Sequence, residues 1–382
     1  MKSMSIIKKP VSLIVAVVLV AAAIVYFESQ KASPAPNSEM GIAKADDPEY
    51  QNDNELAADS KYPKAPDFVG IDRWINSEPL KIGQLKGNVV LVDFWTYTCI
   101  NCIRTLPYLK DWNEKYGDRG LVIVGVHTPE FEFEKKYENV LKAIQDYQIE
   151  YPVAQDNDYA TWKSYENRFW PHKFLIDIEG YIRYDHIGEG DYDETEKMIQ
   201  ELLQERMERL NEKNGIKADM SKPSEIISVD FSKVGTPEIY FGYQFTRGNF
   251  GYDGVKPESV ADYRIPAKPS QNSVYLEGKW KNNADNMELI GDDGSILLIF
   301  DAKNANIVAG SENGSDAIVF LDSKFENERN RGSGVLIEGG KSISKIKEFK
   351  LYNLASAEDY GTHAIKIDVM GSGFRIYTFT FG

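Results

Sequence analysis

The chain has 382 residues, 42% apolar and 27% charged, with 59 acidic against 44 basic side chains and a net charge of −15. That composition is globular rather than disordered, and the length suffices for two ordinary domains. The acidic excess repels phosphate backbones, which argues against a nucleic-acid partner.

The first element is an apolar run over residues 11–27, preceded by Lys2, Lys8 and Lys9 and broken only by Ser12. At about 1.5 Å per residue it just spans a bilayer core of about 30 Å with interfacial ends. The run has no polar face, so it does not read as a buried globular helix. Its length and the lack of a small-x-small site favour an uncleaved anchor over a cleaved signal peptide. The lysines belong on the cytoplasmic side, so this is a single-pass membrane anchor over 1–27 with everything after it extracytoplasmic. Residues 28–61 are rich in Ser, Pro, Ala, Asn, Asp and Glu and read as a flexible tether.

Order is expected from residue 62, where Phe68, Trp74 and Leu80 fit a short leading hairpin. "NVVLVDFW" (88–95) reads as a buried central strand, and a helix follows from the cysteines to about Lys115. "LVIVGVH" (121–127) is a second buried strand, and residues 131–148 show helical spacing through Phe133, Tyr137, Val140, Leu141 and Ile144. "YPVAQD" reads as a third, edge-type strand, and "WPHKFLID" with "YIRYDHIG" as an antiparallel pair. An amphipathic helix then closes a mixed α/β sheet flanked by helices, over residues 62–212.

Beyond a boundary near 211–226 the pattern changes to short strand-like runs separated by Gly, Asn, Asp and Ser. Residues 222–382 therefore predict an all-β sandwich, jelly-roll-like. Its aromatics include Tyr240, Phe241, Tyr243, Phe245, Phe250, Tyr252, Tyr263 and Trp280. The segment "FGYQFTRGNFGYDG" (241–254) is the part expected to expose some of them, which would suit a glycan; docking or spacing is the plainer reading.

The chain's only cysteines, Cys99 and Cys102, sit three apart in "TYTCINCIRT" (96–105). Random placement gives that spacing roughly once in two hundred chains of this length. The pair falls at a strand-to-helix junction, where free N–H groups and the helix dipole favour a thiolate on the first cysteine. Cys99 is then the nucleophile and Cys102 the resolving thiol. Rival chemistries fit less well. The four histidines, His127, His172, His186 and His363, have no metal-ligand spacing to a second partner. Haem attachment needs His where Ile103 stands. A peroxidatic motif has its Thr96 but carries Val92 in place of Pro. No cofactor beyond a redox-active disulfide is expected.

"VVLVDFWTYTCINCIRTLPYL" resembles the thioredoxin fold, and within it the membrane-anchored TlpA-like branch. The resemblance matches Trp95, four before Cys99, Pro107 in the active-site helix, and Asp93, six before Cys99, as the buried acid. It also implies a cis-proline at Pro171 in "RFWPHKFLID". With "GVHTPEFEFEK", "YPVAQDNDYATW" and "HIGEGDYDETE", the chain is similar to the soluble half of DipZ-type thiol-disulfide proteins, a redoxin domain followed by a carbohydrate-binding-like β-sandwich. That implies a separate CcdA-like membrane electron donor. Departures from the pattern are Ile100-Asn101 between the cysteines, Thr98 for the usual tryptophan, and Thr105 where some relatives carry a glutamate. Asp93 then takes the proton-handling role, and Trp95, Tyr97 and Trp170 are expected to form a substrate rim. His127 reads as a surface histidine. Two other functions are carried forward: a thiol peroxidase, and a non-enzymatic glycan- or cell-wall-binding protein with a structural disulfide.

Overall fold

The structure, a computed structural model, describes residues 61–382 apart from 213, 214, 217 and 254. The anchor expected over 1–27 and almost all of the tether expected over 28–61 lie outside the described residues. Among the described residues no helix is long and apolar enough to cross a membrane.

The first half is built on a six-stranded sheet of β1 (Arg73–Ile75), β2 (Val89–Trp95), β3 (Leu121–His127), β4 (Val153–Gln155), β5 (His172–Ile176) and β6 (Ile182–Ile187) in the order β1-β4-β3-β2-β5-β6. β2, β3 and β4 run parallel, and β5 lies antiparallel to β2. The helices are α1 (Ile100–Tyr116), α2 (Tyr137–Asp146), α3 (Ala160–Ser164) and α4 (Tyr192–Arg209). This is the mixed α/β architecture that the strand and helix alternation predicts, and the thioredoxin fold that the resemblance implies.

Both faces of the sheet are covered, which is why β2 and β3 are apolar almost throughout. Alternation along β2 decides which side each residue serves. Val90, Val92 and Phe94 face a core with Phe68, Ile82, Trp162 and Tyr165. Val89, Leu91 and Trp95 face α1, α2 and α4 through Leu106, Leu109, Trp112, Val140, Ile199 and Leu203. Asp93 shares the parity of Leu91 and Trp95, so its carboxyl is directed toward α1.

Three local expectations need correction. The leading segment forms no hairpin; its Arg73–Ile75 pairs antiparallel with β4, and Trp74 instead meets Phe68 edge-on at 5.4 Å. Consequently β4 is not an edge strand. The expected 131–148 helix is two pieces, a 3-10 turn over Glu132–Lys135 and then α2. Lys136 between them is extended, and within the 3-10 turn the carboxylate of Glu134 turns back to cap Phe131.

The second half is all β: β7 (Ile239–Tyr240), β8 (Val260–Tyr263), β9 (Val274–Asn282), β10 (Met287–Leu289), β11 (Asp293–Ser311), β12 (Ser315–Leu321), β13 (Lys324–Phe325), β14 (Leu336–Glu338), β15 (Lys341–Ile346), β16 (Lys350–Met370) and β17 (Phe374–Phe381). Several runs that read as separate strands are one. "SILLIFDA" and "NIVAG" fuse into the 19-residue β11, and "KEFKLYNL" and "HAIKIDVM" into the 21-residue β16. These two pair along most of their length, with register shifts near Ala302–Asn306 that let them bend. The strands form one continuous hydrogen-bonded path rather than two separate sheets, and a β11–β9 pairing closes a ring through β10 and β17. A single core of Ile, Val, Leu and Phe side chains fills the interior.

The two halves share apolar surface. Tyr240, Val308 and Tyr377 belong to the same buried cluster as Phe131, Phe133 and α1. Phe133 lies 4.6 Å from Tyr377 and 5.3 Å from Phe349, ring centre to ring centre.

Candidate redox site

Cys99 is the N-cap of α1, with an extended backbone at φ −73°, ψ 114°. Its Sγ accepts a hydrogen bond from the N–H of Cys102 at 3.2 Å, one of the donors that a helix start leaves without an intrahelical partner. This contact and the helix dipole both favour negative charge on that sulfur. Cys99 is partly open to solvent, whereas Cys102, one turn in, is 1% exposed. Burial pushes the Cys102 thiol well up, reinforced by the neighbouring Cys99 and Asp93. The expected division into an accessible and a sheltered sulfur is therefore built in.

Asp93 lies in mid-strand beneath this pair. It is buried, its Oδ1 has no hydrogen-bond partner, and burial raises its carboxyl from 3.8 to about 7. Directly opposite Asp93 in the β2–β5 ladder stands Lys173. It too is buried; its Nζ donates to the carbonyl of Gly188 at 2.9 Å, and burial lowers its ammonium pKa. On the other side of Asp93 the ladder places Gly125. A side chain there would come within 2.9 Å of Trp95 Nε1, so the glycine makes room for the indole.

The Trp170–Pro171 peptide is cis, as the resemblance implies. Trp170 is half-buried, donates from Nε1 to Thr128 O at 3.0 Å, and packs on Trp162 at 4.3 Å. It keeps one edge available. The other two rim residues do not. Trp95 is fully enclosed in the core between sheet and helices. Tyr97 is 3% exposed, and its hydroxyl donates to Phe349 O at 3.1 Å, across to the β half. The two expectations fail for different reasons: Trp95 is buried within the redoxin half itself, whereas Tyr97 is covered by the 131–135 turn and the β half.

His127 is also corrected. It is buried rather than on the surface, stacked on Tyr97 at 5.7 Å and edge-on to Trp95 at 5.3 Å. Its Nε2 lies 3.3 Å from Thr96 Oγ1. Burial depresses its pKa to about 3, so the ring is neutral.

Sequence reasoning missed three ionisable groups. Lys173 carried a signal, a charge inside the otherwise apolar "FLI" strand two residues past Pro171. Glu134 carried none, being one of several acids in "EFEFEKK". It accepts from Thr98 Oγ1 at 2.5 Å and from the N–H groups of Glu130 and Phe131, fixing the residue before Cys99. Arg104, 6% exposed, carried no signal in the sequence; it pairs with Glu189 and reaches Asn101.

Comparison with known proteins agrees with this chemistry. Residues 61–203 match the Redoxin family, and residues 236–382 match a family described as the thioredoxin-like C-terminal domain. The chain is 39% identical over 276 residues to the protein DipZ of Mycobacterium tuberculosis and of Mycobacterium bovis, covering 71% of this chain and 38% of those proteins. It thus spans well under half the length of those relatives. Its redoxin half is 26% identical over 140 residues to the thiol-disulfide oxidoreductase YkuV of Bacillus subtilis, covering 37% of this chain and 94% of YkuV. A crystal structure described as a DsbE-type thiol:disulfide interchange protein from Chlorobium tepidum is 28% identical, covering 38% of this chain and 98% of that one, at a TM-score of 0.34.

Proposed function

We propose that this chain, a thioredoxin-fold thiol-disulfide oxidoreductase of the DipZ type, reduces disulfides outside the cytoplasm through the Cys99–Cys102 couple. The observation that carries the mechanism is the placement of a helix-capping, accessible Cys99 sulfur against a buried Cys102, with a buried acid of pKa about 7 beneath. The Cys99 thiolate attacks a substrate disulfide, forming a Cys99–substrate bond and releasing one substrate thiolate. Cys102 gives its proton to the Asp93 carboxylate and attacks Cys99 Sγ. The mixed disulfide breaks, the second substrate thiolate leaves, and the protein holds a Cys99–Cys102 disulfide. Two electrons have passed to the substrate. An acid with a pKa near the working pH suits a proton taken up in one direction and returned in the other. The half-buried Trp170 lies on the adjoining loop and offers the surface on which an extended substrate segment would lie, with the buried Pro171 behind it.

The reductive direction, a CcdA-like membrane donor that re-reduces the couple, and an anchor over 1–27 rest on the resemblance and on the apolar run over residues 11–27. Protein or small-molecule disulfides are the substrate class. The test of the exchange mechanism is Cys102→Ser: incubated with a disulfide substrate, it accumulates a mixed disulfide on Cys99 detectable by mass. Absence of any adduct counts against the mechanism.

A second activity is favoured by one observation in the β half. A cleft of about 270 Å³ is lined by Tyr243, Thr246, Phe250, Tyr252, Asp253 and Asn282, within and beside the segment that the sequence singles out. Ring faces beside polar side chains suit a sugar. Binding of cell-wall polysaccharide lost on Tyr243→Ala would support a glycan role; retention in the variant would remove it.

A further inference from the structure

We propose that the 188–190 loop is a positioning element of the redox site, with Glu189 acting through Arg104 on Asn101, between the cysteines, and so on the potential of the couple. This rests on the disulfide-exchange reading above.

The loop, Gly-Glu-Gly, leaves β6 and makes three separate connections to the site. The N–H of Gly188 donates to the carbonyl of Pro171 at 2.8 Å. The carbonyl of Gly188 accepts from Lys173 Nζ at 2.9 Å, and Lys173 stands opposite Asp93. The carboxylate of Glu189 takes the fork of Arg104, with Nε at 2.9 and 3.1 Å from its two oxygens and Nη2 at 2.8 Å. One short segment therefore holds the cis-proline, the lysine facing the buried acid, and the helix that carries the cysteines. Gly188 and Gly190 have φ of +85° and +94° with open space where a Cβ would stand. Backbone conformation rather than crowding calls for glycine there.

Arg104 does more than pair. Its Nη2 also donates to Asn101 Oδ1 at 2.9 Å. The backbone oxygen of Asn101 accepts from Thr105 Oγ1 at 2.9 Å, so Asn101 is held by both side chain and main chain. The ion-pair side chains are only 3% and 12% exposed, the ring of Phe231 lies 5.8 Å from the guanidinium, and Gly382 packs on Nη1. A pair sheltered this way costs desolvation and is a weak source of stability. Because little water screens it, however, removing either partner leaves the other's charge strongly felt nearby.

The sign follows from what oxidation changes. In exchange the Cys99 sulfur acts as a thiolate, whereas in the disulfide it carries no charge. Glu189 cancels the charge of Arg104, one turn beyond Asn101 on the same helix. Removing only the carboxylate leaves an uncancelled cation, which stabilises the thiolate and makes the protein more oxidising. Removing only the cation leaves an uncancelled anion and does the reverse.

The experiment is equilibration of the full chain with glutathione in E189Q, R104Q and the double variant, with circular dichroism and thermal melting alongside. E189Q raises and R104Q lowers the potential, each by about tenfold in the equilibrium constant, or about 30 mV. The double variant returns to within about threefold of the parent. Shifts of the same sign, or no shift in folded variants, overturn the assignment and leave a structural ion pair. If a neutral variant does not fold, E189D and R104K decide. E189D draws the carboxylate back and raises the potential by about threefold; R104K keeps the charge but loses the fork, and leaves it unchanged or lower. A shift of the same sign in both, or in neither, overturns it. Failure of the parent chain to exchange with glutathione defeats the exchange reading itself; exchange with unshifted variants defeats only this assignment.

Discussion

The two halves differ most in what they bury. The redoxin half encloses Asp93, Arg104, Glu134, Asp156, Lys173, Glu196 and Arg206, besides His127 and His172. Among the described residues the β half encloses one charged side chain, Glu326; its other buried polar groups are Asn, Ser and Thr. Buried charge is costly unless partnered, so its concentration marks where a protein does more than hold its shape. Asp93, Arg104, His127, Glu134 and Lys173 among them touch or flank the segment from Thr96 to Thr105 or the strand beneath it. Yet the halves are not independent, since Tyr240 and Tyr377 of the β half complete the apolar cluster around Phe131 and Phe133.

The sharpest way to separate chemistry from architecture is Cys99→Ser. It removes the nucleophile from one half while changing one atom at a partly exposed cap. Insulin-disulfide reduction falls by at least about a thousandfold, since no other thiol is accessible. The melting temperature of the reduced protein stays within a few degrees of the parent. Residual turnover above about a tenth of the parent's would mean that Cys99 is not the attacking sulfur.

Phe133→Ala does the opposite. Phe133 is buried, with rings of Tyr97, Phe349 and Tyr377 around it. Its truncation costs about 3–5 kcal/mol by the usual cost of deleting a buried aromatic. If the halves fold as one unit through this cluster, the parent melts in a single transition and the variant in two. A single unshifted transition in the variant would show that the contact carries no cooperative weight.

What could be read beforehand follows the same division. β2, β3, β5, β6, α1 and α4 were legible because each is a long apolar run or a clear helical period with its own turn signals. The reactive pair was legible because its chemistry is local: two cysteines, a helix start, an acid six residues back. Arg73–Ile75 was not, because three residues carry no period, and its role depends on β4 lying beside it. The rim was misread for a reason no local pattern holds. Whether Tyr97 faces water depends on Phe349, some 250 residues later in the chain. Likewise, no spacing rule connects Arg104 to Glu189 or places Lys173 opposite Asp93.

Asp93→Asn tests the buried charge itself. The folded carboxyl titrates near 7 and its ordinary value is 3.8, so the native state holds the proton more tightly than the unfolded chain. Asp93's share of stability is therefore fully present below pH 3.8 and is lost as pH rises through about 7. The full loss is on the order of 4 kcal/mol. Urea midpoints at pH 5 and pH 8 measure it. The asparagine amide has no charge to bury, so the variant gains on the parent between these two conditions, by roughly 2–3 kcal/mol. A gap independent of pH would mean that Asp93 is ionised throughout.

Tyr97→Phe has the smallest effect and bears directly on the border between the halves. The substitution deletes one hydroxyl, and with it the hydrogen bond to Phe349 O, while keeping the ring stacked on His127 and against Phe133. The donor from Tyr147 to the Tyr97 carbonyl is untouched. The cost is that of one buried hydrogen bond, about 1 kcal/mol, read as a shift in the urea midpoint. Because the ring is enclosed rather than presented to substrate, KM and kcat for insulin reduction stay within about twofold of the parent. Unchanged stability with KM raised several-fold would reverse the assignment. Tyr97 would then be a substrate contact, and the β half would have to move aside when a disulfide arrives.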